Sequence, residues 1–307
     1  MDGLLIIDKP AGPTSHDIVA VARRALRERR VGHTGTLDPL ATGVLPLVVG
    51  RATRLASLLS STDKEYEASI RLGAATATYD AAERLALGAP PPPMPAVDAA
   101  SVERALEDFR GAFQQVPPPY SAKKVGGVPS YELARKNRAA ELAAVPVTAH
   151  SLTLLGLDDG VVRLRLFVSP GFYVRSLAHD LGTKLGCGAH LEGLRRTRAA
   201  SFGLDRALTL DELLAGPEVT ASRLIPIEEL LPELPAVRLS ERGVLRASHG
   251  NFLGPEDLAT TGPVPDSAVL SRESGTGPVR LFDGAGRLVG IARGGPDGLL
   301  RPSIVLV

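Results

Sequence analysis

The chain has 307 residues, of which 44% are hydrophobic and 22% are charged, and its formal net charge is +1. This apolar content excludes a chain that is disordered throughout and predicts a folded protein of about two domains. The single cysteine, Cys187, excludes an internal disulfide framework, and without a secretion signal or an 18-residue apolar run we expect a cytoplasmic protein that does not enter a membrane.

The N-terminal region predicts a strand followed by an amphipathic helix. Residues 3–8, GLLIID, form a short apolar run that is typical of a buried strand. Thr14, with Asp17 three residues later, has the pattern of a capping box at the start of a helix. One face of this helix is apolar, and the other carries arginines, including Arg23 and Arg27, that could meet phosphates or only water.

A glycine-rich segment follows and leads into two strands. Residues 31–43 contain three glycines, one proline and three threonines, which predict a loop. Residues 44–49 are apolar and predict a strand. Polar and apolar residues alternate over residues 64–72, which predicts a half-buried strand with Tyr66 on its apolar face.

The central region is predicted to add helices and strands around one basic insertion. The expected elements are a helix at 100–109, strands at 145–155 and 161–168, and a helix at 174–185. Residues 112–140 combine prolines and glycines with positive charge, including Lys123 and Lys124. We expect these residues to form a surface insertion.

The last part of the chain changes character. Helical pieces are predicted at 210–214 and 225–231, and Pro232 and Pro235 then mark a boundary. Short strands separated by turns are expected beyond it, at 279–282, 287–292 and 303–307. The sequence therefore predicts a mixed domain of helices and strands over residues 1–232 and a small, mostly β domain over residues 235–307.

The near-zero net charge hides an uneven distribution. The balance of Lys and Arg over Asp and Glu is +3 for residues 1–60, +5 for residues 110–138 and +5 for residues 161–200. If these stretches converge, they form a positive groove that suits a polyanion such as RNA. Solvated helix faces explain the same charges, so charge alone does not decide between the two.

Several common enzyme motifs are absent from the sequence. It contains no Walker A loop, no G-x-G-x-x-G fingerprint, no H-E-x-x-H and no G-x-S-x-G. The six histidines are scattered and form no ligand cluster. We therefore expect no metal and no cofactor, and a reaction that acidic, basic and aromatic side chains can carry out unaided.

The most informative segment is residues 32–45, G-H-T-G-T-L-D-P-L-A-T-G-V-L. Pro39 and Gly43 would hold Asp38 rigidly on an accessible loop. Taken alone, Asp38 is more simply explained as a turn residue, and His33 as a histidine that bonds within its loop. The whole segment, however, resembles the nucleophile motif of the TruB family of tRNA pseudouridine-55 synthases, G-H-x-G-x-L-D-P-x-A-x-G-V/M-L, at every defined position.

Further segments resemble motifs of the same family in chain order. They are residues 3–10, 64–66, 118–124 with 131–135, 171–175 with 180–182, and 187–197. The resemblance spans residues 3–230. Residues 235–307 resemble a PUA-type RNA-binding module only loosely.

The resemblance implies an α+β fold in which a mixed, mainly antiparallel sheet carries the catalytic site and a small, mostly β domain follows. It implies isomerisation of uridine 55 in the T-loop of tRNA to pseudouridine. The implied partner is the T arm of tRNA, gripped by the insertion at 112–140. We expect no obligate protein partner and a monomer.

Roles for individual residues also follow from the resemblance. Catalytic roles are implied for Asp38 as nucleophile, with Tyr66 and Arg175. Substrate contacts are implied for His33, Tyr66, Tyr173 and Leu194. Weaker candidates for RNA contacts are Lys9, Arg23, Arg27, Lys123 and Lys124, although the turn that contains Lys9 could simply support the catalytic loop.

The chain departs from the family pattern in one loop and at two single positions. Where the family has T-D-T-x-D-x-x-G, residues 76–83 read T-A-T-Y-D-A-A-E, so the resemblance implies no role for this loop. Phe172 and Lys123 also replace the usual residues. A different class remains open, namely a protein that binds or folds tRNA without catalysis. A glycoside hydrolase is disfavoured because Asp38 has no acidic partner in a matched motif.

Overall fold

A computed structural model describes residues 1–81, 97–121, 123–125, 127–130, 142–259, 277–295 and 298–307. The helices are α1 (Ser15–Leu26), α2 (Ala56–Ser60), α3 (Ala99–Leu106), α4 (Val174–Lys184), α5 (Leu210–Leu214), α6 (Pro217–Arg223) and α7 (Glu241–Ser248). Short 3-10 helices lie at Gly50–Leu55, Glu107–Phe109, Leu204–Arg206, Ile227–Glu229 and Pro255–Asp257.

The strands fall into one large sheet, one small sheet and a two-stranded hairpin. They are β1 (Gly3–Lys9), β2 (Val31–His33), β3 (Thr42–Val49), β4 (Lys64–Leu72), β5 (Gly111–Gln115), β6 (Lys124–Val125), β7 (Val128–Pro129), β8 (Val145–Asp158), β9 (Val161–Val168), β10 (Ala189–Ala199), β11 (Phe202–Gly203), β12 (Ala207–Leu208), β13 (Ile225–Pro226), β14 (Ala236–Arg238), β15 (Pro278–Phe282), β16 (Leu288–Gly294) and β17 (Leu300–Val305).

The large sheet runs in the order β12-β1-β3-β10-β4-β9-β8-β5, and β2, β11 and β13 pair with β3, β10 and β1. Its pairings are antiparallel except for β1 with β12 and β3 with β10. The predicted α+β fold with a mixed, mainly antiparallel sheet is therefore confirmed. The parallel pairing of β3 with β10 matters for the site, because it brings the segment just after Asp38 beside a strand that also pairs with β4.

Both faces of the large sheet are covered by apolar side chains. On β1, Leu5 and Ile7 join the core that lies under α1 and α4, whereas Leu4 and Ile6 join a second cluster on the opposite face. A strand that is buried on both faces needs a continuous apolar run, which explains the GLLII sequence. The capping box predicted for α1 is also present, because Thr14 and Asp17 each accept a hydrogen bond from the other's backbone N–H.

The C-terminal region forms a separate four-stranded sheet in the order β14-β15-β16-β17. Its own core includes Val237, Val279 and Leu281, against which α7 packs. Leu288 and Leu306, from the same region, belong instead to the cluster on the back of the large sheet. Side chains of both sheets therefore share one apolar layer. The guanidinium of Arg51 adds a 2.7 Å hydrogen bond to the backbone oxygen of Leu306.

Three segments differ from the sequence predictions in their type of structure. Residues 31–33 are not loop but form β2, which pairs with β3. Residues 225–231 do not form an α-helix but β13 and a short 3-10 helix, because pairing with β1 overrides a helical pattern of only two turns. Residues 112–115 belong to β5 at the edge of the sheet rather than to an insertion. Residues 131–135 lie outside the described residues.

Candidate active site

Asp38 and Arg175 form an ion pair although 137 residues separate them in the chain. The Arg175 Nε lies 2.9 Å from Asp38 Oδ2, and its Nη2 lies 3.4 Å from Oδ1. The Arg175 side chain is 8% exposed, whereas the Asp38 side chain keeps 33% of its surface accessible. The guanidinium is thus fixed behind a carboxylate that a ligand can still reach.

Three other groups hold the Arg175 guanidinium. It donates hydrogen bonds to the backbone oxygens of Thr78, at 3.1 Å, and Tyr120, at 2.9 Å. The carboxylate of Asp80, which is buried, lies 3.8 Å from its Nε. Arg175 is at the start of α4, so its side chain joins segments that come from three distant parts of the chain.

Buried side chains fix the Asp38 loop from below. The Ser15 hydroxyl accepts a hydrogen bond from the backbone N–H of Leu37 at 2.8 Å and donates one to its carbonyl at 2.9 Å. The Lys9 ammonium donates to the backbone oxygens of Pro10, at 2.8 Å, and Ala41, at 2.7 Å. The loop around Asp38 therefore has its backbone polar groups satisfied on the side away from solvent.

Arg196 ties the same loop to the sheet. It is fully buried and donates to the backbone oxygens of Val44, at 2.6 Å, and Gly35, at 3.1 Å. Gly43 lies beside it with φ +98°, and a Cβ there would come within 2.2 Å of the Arg196 carbonyl oxygen. Only glycine accepts both that conformation and that close approach, which explains the third glycine of the motif that surrounds Asp38.

The pKa of the Asp38 carboxyl is set by burial and by the charged groups around it. Burial raises the pKa of the Asp38 carboxyl above its ordinary value, because desolvation penalises the charged form. The Arg175 guanidinium opposes that rise in pKa, and the Asp80 carboxylate adds to it. Arg175 is therefore the main group that favours the ionised carboxylate.

Tyr66 and Leu194 lie on neighbouring strands of the sheet. Tyr66, on β4, is 8% exposed and belongs to the same apolar cluster as Leu37 and Ala41, which flank Asp38 in sequence. Leu194, on β10, is half-buried against that cluster. The register places Tyr66 directly opposite Arg196, so the sheet brings the tyrosine strand beside the buried arginine that ties the Asp38 loop.

Tyr173 precedes α4 and is half-buried. Its backbone is fixed by the Gln115 amide, which accepts from the Tyr173 N–H at 2.8 Å and donates to the Tyr173 carbonyl at 3.0 Å. Burial raises the pKa of the Tyr173 hydroxyl, so it stays protonated. The Tyr173 side chain is therefore neutral, and its hydroxyl lies next to the Ser121 side chain.

His33 lies on β2, which pairs with β3. It is half-buried, and its ring meets the ring of His16 edge to face, with 5.2 Å between centroids. Burial lowers the pKa of the His33 imidazole, and His16 and Arg196 lower it further. A neutral imidazole at this position is the favoured form near neutral pH.

The candidates for RNA contacts divide into exposed and buried side chains. Arg23 is exposed on α1, Arg27 is exposed at the C-cap of α1, and Lys123 is half-buried. Lys124 lies in the β6–β7 hairpin, and its side chain is outside what the structure describes. Lys9 was wrongly grouped with these residues, because its side chain is fully buried and is engaged with the carbonyls of the Asp38 loop rather than with solvent.

Sequence reasoning missed Asp80, Ser15, Gln115 and Arg196. Arg196 stands inside a segment that was recognised, but a motif does not tell which of its residues face inward. Ser15 lies outside those segments, directly after the helix-capping residue Thr14. Asp80 was hidden because its loop departs from the family pattern, although a Thr-x-Asp remains at residues 78–80. Over the described ranges, no group of three or more His, Cys, Asp or Glu side chains could hold a metal ion.

Two protein-family models match consecutive parts of the chain. The model "TruB family pseudouridylate synthase (N terminal domain)" matches residues 23–174, and "tRNA pseudouridylate synthase B C-terminal domain" matches residues 175–232. No helix in the described part of the chain is both long and apolar enough to cross a membrane.

Curated relatives extend the match over nearly the whole chain. A protein of Solibacter usitatus named tRNA pseudouridine synthase B is 51% identical over 245 residues, which cover 78% of this chain and 82% of the relative. A protein of the same name from Cupriavidus metallidurans is 41% identical over 303 residues, or 98% of this chain and 92% of the relative.

A solved structure shares the fold. The chain aligns with a protein in the crystal structure of a Cbf5-Nop10-Gar1 complex with a TM-score of 0.73 and 25% sequence identity, covering 99% of this chain and 85% of that one. Curated relatives are more than 40% identical over most of this chain, and two family models together match residues 23–232. This chain therefore belongs to the TruB family of pseudouridylate synthases and is an enzyme of that class.

Proposed function

We propose that this enzyme converts uridine 55 in the T-loop of tRNA to pseudouridine, with Asp38 as the nucleophile. The observation that carries the proposal is the accessible Asp38 carboxylate held against the buried Arg175 guanidinium at 2.9 Å. The names of the curated relatives, tRNA pseudouridine synthase B, support tRNA as the substrate.

The reaction is an isomerisation whose atoms balance without a second reactant. The bond between N1 of uracil and C1′ of the ribose breaks, the base turns, and C5 forms a bond with C1′. C5 then loses its hydrogen as a proton, and N1 gains a proton. Asp38 acts either by attacking C1′ or by triggering formation of a glycal, and both routes need an ionised carboxylate.

Arg175 keeps that carboxylate ionised when the nucleotide excludes water. Closure of the site by a bound base would raise the pKa of Asp38 further, because desolvation already raises it in the free protein. A guanidinium remains protonated at any working pH and pairs well with carboxylate geometry. Arg175 is therefore assigned to catalysis together with Asp38.

The aromatic and apolar residues are assigned to the base. A uridine inside a folded T arm must be extruded before its C1′ can be reached, which costs a few kcal/mol. Tyr66 would stack on the extruded uracil and assist proton transfer, Tyr173 and Leu194 would form other walls of the pocket, and His33 would contact substrate at the mouth.

The exposed cations are assigned to phosphate contacts. Arg23, Arg27, Lys123 and Lys124 would position the T arm without reading its sequence. We assign catalysis to a domain of residues 1–232 and an RNA-binding, PUA-like role to residues 235–307, in a monomer that works in the cytoplasm on free tRNA.

The test is release of tritium from a tRNA transcript labelled with [5-³H]uridine, with no metal or cofactor added. Forming the bond from C5 to C1′ expels the C5 hydrogen, so release reports the reaction directly. We expect release from wild-type transcript and none when the T-loop target uridine is replaced by cytidine. Tight tRNA binding without release would favour the alternative of a non-catalytic RNA-binding protein.

A further inference from the structure

The loop at residues 76–80 contacts α4 at two successive turns. At the first turn, the Thr78 carbonyl and the Asp80 carboxylate face the Arg175 guanidinium. At the second turn, the ring of Tyr79 stacks on the ring of His179 with 3.9 Å between centroids and 11° between planes. Residues four apart lie on one face of a helix, so Arg175 and His179 present a single surface to the loop.

Tyr79 adopts a backbone conformation that needs support. Its φ is +64°, a left-handed conformation that is uncommon for a large side chain and persists where surrounding contacts hold it. Its carbonyl accepts from the Leu191 N–H at 2.9 Å, and the Ala81 N–H donates to the Leu191 carbonyl at 2.9 Å. The loop is therefore fastened to β10 on one side and to α4 on the other.

The His179 ring is engaged by its stack on Tyr79. Its Nδ1 is buried and has no hydrogen-bond partner among the described residues. The nearby ionisable groups are Tyr79 on the loop and Asp180 on the helix. A near-parallel ring pair at this distance is a directional contact that fixes the position of both partners.

We propose that the Tyr79–His179 stack is a positioning clamp that holds Thr78 and Asp80 against Arg175 and so keeps Arg175 aimed at Asp38. Tyr79 and His179 act through these groups and do not touch the substrate. The clamp explains how a loop with Ala77 in place of an aspartate of the family pattern still serves the site. The inference rests on the proposed function only in the readout of activity.

Three variants separate the ring contact from the backbone and from the hydroxyl. Tyr79→Asn removes the ring but keeps a residue that tolerates the left-handed conformation. Tyr79→Phe keeps the ring and removes the hydroxyl, and His179→Ala removes the other partner. We expect the single-turnover rate to fall about 3- to 10-fold in Tyr79→Asn and His179→Ala, and to be retained in Tyr79→Phe.

Two further measurements distinguish positioning from a binding role and from general loss of structure. The dissociation constant for tRNA should change less than about 2-fold in the same variants, because neither ring is assigned to the RNA. The double variant should be no slower than the slower single variant, since both changes remove one contact. Hydrogen exchange at the Leu191 amide should speed up about 3- to 10-fold, because the loop opens more often.

Wild-type rate and wild-type exchange in Tyr79→Asn would overturn the clamp. A rate in Tyr79→Phe as low as in Tyr79→Asn would overturn it too, since the hydroxyl and not the ring would then be the group that matters. If Tyr79→Asn does not fold, His179→Ala decides the question. If wild-type protein releases no tritium, the proposed function fails, and the exchange rate at Leu191 still tests the clamp by itself.

Discussion

Two loops meet at Arg175, and they are built differently. The Asp38 loop is fixed by fully buried side chains, since Ser15, Lys9 and Arg196 bond its backbone from below. The loop at residues 76–80 is fixed by backbone hydrogen bonds to β10 and by threonine hydroxyls. The first loop supplies the carboxylate that can be reached, and the second supplies a carboxylate that is buried.

The difference separates two tasks that the site must perform. The Asp38 loop sets where the Asp38 carboxylate points, because its anchors are internal and rigid. The loop at residues 76–80 sets the charge around the Asp38 carboxylate, because Asp80 shares Arg175 with Asp38. Changes in the first loop should abolish the reaction or weaken the fold, whereas changes in the second should move the pH dependence.

The largest effect is expected for Asp38→Asn. The amide has nearly the same shape but neither ionises nor attacks a sugar carbon, so the rate of tritium release should fall at least about 10³-fold. Binding of tRNA, measured by filter retention, should remain within a few-fold of wild type. An Asp38→Asn protein that still forms pseudouridine at the wild-type rate would remove Asp38 from the mechanism.

The next largest effect is expected for Arg175→Met. Loss of the guanidinium raises the pKa of Asp38, because the cation that favours its charged form is gone. The rate should fall about 10²-fold, and the acidic limb of the pH–rate profile should move to higher pH. The rate at high pH should recover part of the loss, as Asp38 then ionises without help.

Arg175→Lys is the matched control for this prediction, because it keeps the positive charge and loses the forked geometry. We expect its acidic limb to stay close to that of wild type while its plateau is lower. An unshifted limb in Arg175→Met would show that the pKa of Asp38 is set by groups other than Arg175.

The two loops also differ in how far the sequence reveals them. The Asp38 segment matches its family motif at every defined position. The same resemblance pointed to Arg175, and the structure pairs Arg175 with Asp38. The sequence left two roles open for Lys9 and gave none for Arg196, because a cation in a sequence gives no sign of whether it faces solvent or backbone carbonyls. Asp80 was missed because the residues around it depart from the family pattern. Its position in the site depends on backbone pairing with the distant residue Leu191, which the sequence does not reveal.

The fold was predicted best where the pattern is long. The nine residues of β4 alternate in burial as they alternate in polarity, and β4 was predicted with its observed bounds. The short strands β2 and β13 were missed, because two or three residues have no period of their own and pair only when β3 and β1 are already in place. Long-range pairing of this kind is decided by tertiary structure.

A smaller effect, on stability, is expected for Lys9→Met. Methionine has a similar volume but leaves the carbonyls of Pro10 and Ala41 without their buried donor, while it relieves the burial of a charge. We expect the free energy of unfolding to fall by about 2 kcal/mol. Thermal unfolding should register the loss, and Arg24→Met, at an exposed position on α1, should leave Tm nearly unchanged.

The smallest effect is expected for Asp80→Asn, which removes a charge and keeps an oxygen for the 2.8 Å hydrogen bond from the Thr78 hydroxyl. Because Asp80 raises the pKa of Asp38, its neutralisation should move the acidic limb to lower pH, opposite to the shift in Arg175→Met. The plateau rate should fall about 10-fold through looser placement of Arg175. Glu67→Gln, which removes an exposed carboxylate on β4, should leave the limb in place. A limb that moves to higher pH in Asp80→Asn would mean that Asp80 acts mainly by holding Arg175 next to Asp38. The direct effect of the Asp80 charge on the pKa of Asp38 would then be the smaller of the two.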